Sequence, residues 1–278
     1  MFTGIGLRYK MYDLSEDAFT TLAPGGVFTS VINIAALHDV SGGDYTVSTV
    51  GAIPFATPNT TEIAGSIAYK SNVLNLALSK ANVAVVPRAV PVKDKRTVLQ
   101  SCFGNKDQQL RMSLGQLVNV AQIAAAAARN GDAAKFREFF KTTSARARQN
   151  VAARYDAISR EAGSTTSGAT TYYCDDQFNY CSSNTLAYTL PSQNLVANCP
   201  LYYTLPTFSQ VCQDQDQITT SLHEFTHAPG IFSPGTQDYA YGYSASTQLS
   251  SAQAIANADT YALYANGESV LSRSLIIY

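Results

Sequence analysis

The 278-residue sequence predicts two regions of different class: a small β-sandwich before residue 87 and, after a short linker, a mainly α domain over residues 97–278. Three observations carry this. Before residue 87 the apolar residues alternate with period two between turn residues. Residues 87–96 are rich in proline and charge. After residue 97 the apolar residues recur at helical spacing between Gly, Asn, Ser and Asp punctuation.

In order along the chain, Gly25-Gly26 precede an apolar run of Val27, Phe28, Val31, Ile32 and Ile34. Ser41 to Asp44 reads as a turn, and Tyr45, Val47, Ile53 and Phe55 then share one strand parity, with Val50 as the exception. Thr57-Pro58-Asn59 is a second turn, and Leu74, Leu76 and Leu78 alternate with Asn75 and Ala77. Such patterns predict half-buried antiparallel strands. The linker from Pro87 ends in Lys95-Arg96, the dibasic pair that a kexin-type processing protease cuts; a polar linker that happens to hold two bases is the plain alternative.

Leu110, Leu114, Leu117, Val118 and Ala121 form a helical stripe that runs into the alanines 124–128 and stops at Asn130-Gly131. Asp132 caps a second helix with Phe136, Phe139 and Phe140 inward. Ser144 opens a third, with Val151, Tyr155 and Ile158 on one face and Gly163 at its end. Residues 163–171 are a Ser/Thr/Gly loop, and Ala252 to Ala265 reads as a last helix ended by Asn266-Gly267.

Composition narrows the function. Lys+Arg 19 against Asp+Glu 20 gives a net charge of −1, without the basic excess of a general nucleic-acid binder. No apolar run approaches the roughly 18–20 residues of a membrane span, and Met1 to Leu14 holds no apolar core of a signal peptide. Asp175, Asp176, Asp214 and Asp216 form either a local anionic surface or, more ordinarily, a solvated face. All five cysteines lie between Cys102 and Cys212 with no Cys-x-x-Cys pair, which suggests a disulfide framework in an oxidising compartment and at least one thiol left over.

The chemistry lies in His223-Glu224-Phe225-Thr226-His227. Positions i and i+4 of a helix share a face, so two imidazoles can chelate one zinc, and the intervening Glu224 can act as general base on the attacking water. With three His in the chain, chance predicts this pattern on the order of once in a thousand such sequences. Catalytic zinc takes three protein ligands and leaves one position open. No His or Cys follows His227, so the third ligand is sought among Asp238, Asp259 and Glu268. Ala228-Pro229-Gly230 stops the helix and Pro234-Gly235 turns the chain back, which favours Asp238; Asp259 lies in a later helix and Glu268 in a polar tail.

His223-Glu224-x-x-His227 followed by Gly235-Thr236-Gln237-Asp238-Tyr239-Ala240-Tyr241-Gly242 resembles the signature of the aspzincins, and from Thr97 to about Asn266 the chain resembles the fungal deuterolysins, secreted zinc endopeptidases. Matching stretches include 138–143, 161–165, 186–192 and 219–222. Residues before Arg96 resemble the deuterolysin pro-segment in 18–25 and 51–56. The resemblance implies a mainly α zincin-like metalloprotease domain at 97–278, preceded by a β-sandwich-like pro-segment at 1–96 that is incomplete at its N-terminus and removed at Lys95-Arg96 by a kexin-type protease. It implies one catalytic Zn2+ on His223, His227 and Asp238, Glu224 as base, and Tyr202 as oxyanion donor. It further implies the disulfides Cys102–Cys174 and Cys181–Cys199, secretion, a monomer, and a preference for basic protein substrates. The family partner of Cys212 is a C-terminal cysteine, which this sequence does not have. Two other readings stand beside it: a secreted zinc-binding homologue without catalysis, and an intracellular structural zinc module. The second fits poorly, because structural zinc fills four positions with protein ligands.

Overall fold

The computed structural model describes residues 4–84, 86 and 99–274. The first region holds strand β1 (Gly6–Tyr9), helix α1 (Ile34–Leu37), strands β2 (Gly43–Val47), β3 (Val50–Ala56), β4 (Ile63–Lys70) and β5 (Leu74–Leu78), and helix α2 (Lys80–Ala84). The second opens with β6 (Leu99–Gln100), α3 (Gly104–Asn130), α4 (Ala133–Phe140) and α5 (Ala145–Ala162). Strands β7 (Thr171–Tyr173), β8 (Thr185–Leu190) and β9 (Leu195–Asn198) follow, then α6 (Gln217–His227), α7 (Gly242–Ser246), α8 (Ser251–Ile255) and α9 (Ala258–Ser274). The pair Lys95-Arg96 lies outside the described residues.

The three early helices form where their caps place them. The Asp132 side chain accepts from Ala134 N, that of Ser144 from Ala147 N, and Gly131 and Gly163 close the preceding helices. Ala121, Ala124, Ala125 and Ala128 are buried on α3, which packs along α5. Phe136, Phe139 and Phe140 meet Tyr261 and Tyr264 of α9 edge-on. The buried core is continuous from α3 through α9.

Between the helices lies a five-stranded sheet in the order β1-β8-β9-β7-β6. The helical stripes do not announce it. All six positions of β8 are buried, so Thr185 to Leu190 lacks the alternation that marks a half-exposed strand. Disulfide Cys102–Cys174 joins the chain just after β6 to that just after β7, Cys181–Cys199 ties the loop before β8 to the end of β9, and Cys212 is an exposed free thiol.

Three expectations are corrected here. The first region is not a sandwich: β2 pairs antiparallel with β5 and β3 with β4, as two separate two-stranded sheets. A lone ribbon has no second layer, so Ile53, Phe55, Ile67 and Leu74 stay exposed. The run from Val27 to Ile32 is not a strand, and Val31 is 95% exposed. The last helix breaks at Ala256-Asn257 rather than at Asn266-Gly267, and α9 carries Glu268 beside Lys135 instead of in a tail. Asn266 is buried there and its side chain accepts from Gln213 N at 2.7 Å, which offsets the usual stop signal.

Candidate metal centre

Helix α6 positions the motif. Asp216 and Thr219 form a reciprocal capping box at its start, and every residue of the helix is buried. Burial pushes the Asp216 carboxyl up to about 6 despite the backbone N–H groups it accepts from. At the far end, Thr236 N donates to Thr226 O at 2.9 Å, folding the following loop back against the helix. Arg154 of α5 is buried and donates to Thr226 O, Phe232 O and Pro234 O, a carbonyl set that fixes the loop's path. Gln237 then bridges to Asn257, whose side-chain oxygen accepts from Tyr239 N and Ala240 N at 2.8 and 3.0 Å. The break between α8 and α9 therefore serves to hold the residues on either side of Asp238.

These contacts bring His223, His227 and Asp238 together. His223 Nε2 lies 3.2 Å from His227 Nε2 and 3.2 Å from Asp238 Oδ1, and His227 Nε2 lies 3.3 Å from Asp238 Oδ2. Donors about 2.0 Å from a tetrahedral zinc are separated by about 3.3 Å. The other ring nitrogens are engaged from behind: His227 Nδ1 faces Thr236 O at 3.1 Å and His223 Nδ1 faces Asp259 Oδ1 at 3.2 Å. Such outer contacts place Nε2 of each ring toward the cluster. Burial, followed by the nearby Arg8 charge, pushes His223 down to about 3, whereas at His227 burial is outweighed by the Asp238 carboxylate, which raises it to about 9; a bound metal takes both rings in the neutral form. Two imidazoles and a carboxylate suit zinc, and the buried Asp238 Oδ1 has no hydrogen-bond partner. Among the described residues these are the group of His, Cys, Asp and Glu whose donor atoms converge for a metal.

Glu224 is fully buried beside this cluster. Its Oε2 accepts from the Thr189 hydroxyl of β8 at 2.6 Å, while Oε1 has no partner. Burial raises its pKa to about 7, in the range of a working general base. A cavity of ≈ 200 Å³ lined by Ser192, His227, Ser233 and Gln237 opens beside the ring of His227.

Tyr202, expected as the oxyanion donor, is fully buried. Its hydroxyl lies in the core against Ser113 Oγ at 2.8 Å and Ser221 Oγ at 3.0 Å, and burial pushes it up to about 12. The tyrosine that faces the cluster is Tyr241: its ring stacks on His223 and its hydroxyl donates to Leu7 O at 3.0 Å. Its place three residues after Asp238 was the available signal. Asp259 sits behind His223 rather than among the converging donors. The four acids considered as an anionic surface are engaged: Asp175 pairs with Lys106, Asp176 accepts from Cys181 N and the Tyr188 hydroxyl, Asp214 accepts from Ser209 Oγ, and Asp216 caps α6. Arg8 and Arg154 carried no local signal, and Thr189 only its place in the matching stretch 186–192.

The profile of the deuterolysin metalloprotease (M35) family matches residues 1–273. A neutral protease 2 homolog of Neosartorya fischeri is 52% identical over 268 residues, covering 96% of this chain and 73% of that protein. One of Aspergillus flavus is 50% identical over 276 residues, 99% of this chain and 72% of its own. One of Aspergillus terreus is 52% identical over 267 residues, 95% and 75% respectively.

Proposed function

The chain belongs to the deuterolysin metalloprotease family and is a zinc metalloendopeptidase; on that premise we propose that His223, His227 and Asp238 hold one catalytic zinc and that Glu224 is the general base. The observation that carries the assignment is the triangle of donor atoms at 3.2–3.3 Å with the unpartnered Glu224 Oε1 beside it. When bound, zinc supplies Lewis acidity toward the scissile carbonyl and acidifies the attacking water. Glu224 takes the water proton on Oε1 and returns it to the leaving amine, while the Thr189 hydroxyl holds Oε2 in place. Tyr241 directs its hydroxyl at the negative charge that develops on the carbonyl oxygen, as it already does at the Leu7 carbonyl.

The same proposal includes a secreted, monomeric enzyme made as a proenzyme and cut after Arg96 by a kexin-type protease. The two disulfides support an oxidising destination. Preference for basic proteins rests on the resemblance alone, because the four acids above are engaged within the fold. Glu224→Gln tests the assignment. After processing at Arg96, casein hydrolysis falls about 10²- to 10⁴-fold while one zinc per chain is retained. A variant that keeps both zinc and activity overturns the role of Glu224.

A further inference from the structure

Strand β1 comes from the N-terminal region yet is the edge of the sheet beside the metal centre. It pairs antiparallel with β8, Gly6 opposite Thr189, Leu7 opposite Tyr188 and Arg8 opposite Ala187. Thr189 is the residue that touches Glu224, so the strand lies across the reacting groups. A Cβ on Gly6 would come within 3.2 Å of the His227 ring, so any larger residue there requires the ring to give way by a few tenths of an ångström. Two residues on, and so on the same face of the strand, Arg8 is 2% exposed, ion-paired with Asp259 and 3.1 Å from His223 Nδ1. It shares with His223 the carboxylate that orients the ring. The opposite side of the strand is held too: Tyr241 donates to Leu7 O, and the Gln215 side chain bridges Tyr9 O and Met11 N at 2.9 Å each.

A buried guanidinium is costly unless paired, so its seat on Asp259 is a specific one. An extended segment paired to a sheet edge is how peptides dock by strand addition, with backbone bonds giving affinity and alternate side chains giving fit. Resting on the protease reading above, we propose that residues 6–9 are an inhibitory strand filling the groove in which a substrate peptide pairs with β8, with Arg8 as its latch on Asp259. Release of the groove then requires this strand to leave, not only the linker at Arg96 to be cut.

The test uses the whole 1–278 chain, Arg8→Gln and, because a lost buried charge can impair folding, Gly6→Leu, which collides with His227 and leaves every charge in place. In metal-free protein, hydrogen exchange at residues 6–9 and at their partners on β8 is expected to be at least tenfold faster in either variant. With zinc restored, either variant is expected to hydrolyse a short internally quenched peptide at least tenfold faster than the parent. A synthetic peptide of residues 4–12 suppresses that gain, and the same peptide with glutamine for Arg8 does not. Unchanged exchange, with the uncut parent already as fast as the variants, overturns the proposal. Faster exchange without hydrolysis by any form, cut or uncut, supports the strand and overturns the protease reading instead.

Discussion

Ile67 and Ile158 are the same residue in two regions of one chain, and their surroundings differ completely. Ile67 sits on a regular strand paired with Ile53 and is 61% exposed; Ile158 sits on a helix and is fully buried. Secondary structure formed as well in one place as in the other. What differs is the second layer: among the described residues no second sheet covers β3–β4 or β2–β5, and β4 meets the short helix α7 at one place, whereas α5 packs along α3, which in turn packs on α6 and α9. Period-two patterning thus specifies a strand and a face, and burial needs a partner that the pattern does not name. Strand β1 completes the comparison. It is buried because it joins the sheet of the other region, and it brings the one deeply buried arginine of the N-terminal described residues with it.

The sharpest way to break this contrast is in the core. Phe136 is fully buried and stacks on Phe140 while meeting Tyr264 edge-on. Phe136→Ala is expected to cost about 3–5 kcal/mol in urea unfolding followed by circular dichroism. A loss under 1 kcal/mol would mean that this core is no more committed than the ribbons.

The same contrast decides how much was legible beforehand. The three early helices were readable because stripe and cap are local: Asp132, Ser144 and Gly131 each act within four residues. The His223–His227 pair was readable for the same reason. Strand β8 was not, because burial on both faces removes alternation. Tyr202 and Tyr241 both sit in aromatic surroundings, and only the return of the loop after α6, set by Arg154 and Asn257, determines which one meets the cluster. The contact between Arg8 and His223 spans 215 positions and leaves no local trace.

A smaller effect separates the buried acids of the site from ordinary surface carboxylates. Burial raises Glu224 in the folded protein to about 7 from an ordinary value of 4.5. The folded state therefore binds the proton more tightly than the unfolded one. The stability contributed by protonated Glu224 is complete below about pH 4.5 and is lost as pH rises toward 7. By linkage that loss is on the order of 3 kcal/mol at most in the metal-free chain. Glu224→Gln, which cannot ionise, is expected to flatten this part of the profile. Parallel stability profiles for the two proteins between pH 4.5 and 7 would contradict the burial of a free carboxyl at this position.

The smallest expected effect is the most discriminating for the N-terminal ribbons. Ile67→Ser removes an apolar side chain that stands opposite Ile53 on an open face, both of them more than half exposed. Most of that surface is already in contact with water when folded, so little transfer free energy can be lost, and such surface changes stay within about 0.5 kcal/mol. The measurement is the thermal midpoint of the whole chain, with Phe136→Ala as the reference. A shift for Ile67→Ser that approaches the core variant's would show that the Ile53–Ile67 face is covered in solution. In that case the difference between the two regions would be one of partner and not of packing, since the same cross-strand pair would then be doing in an interface what Ile158 does inside the fold.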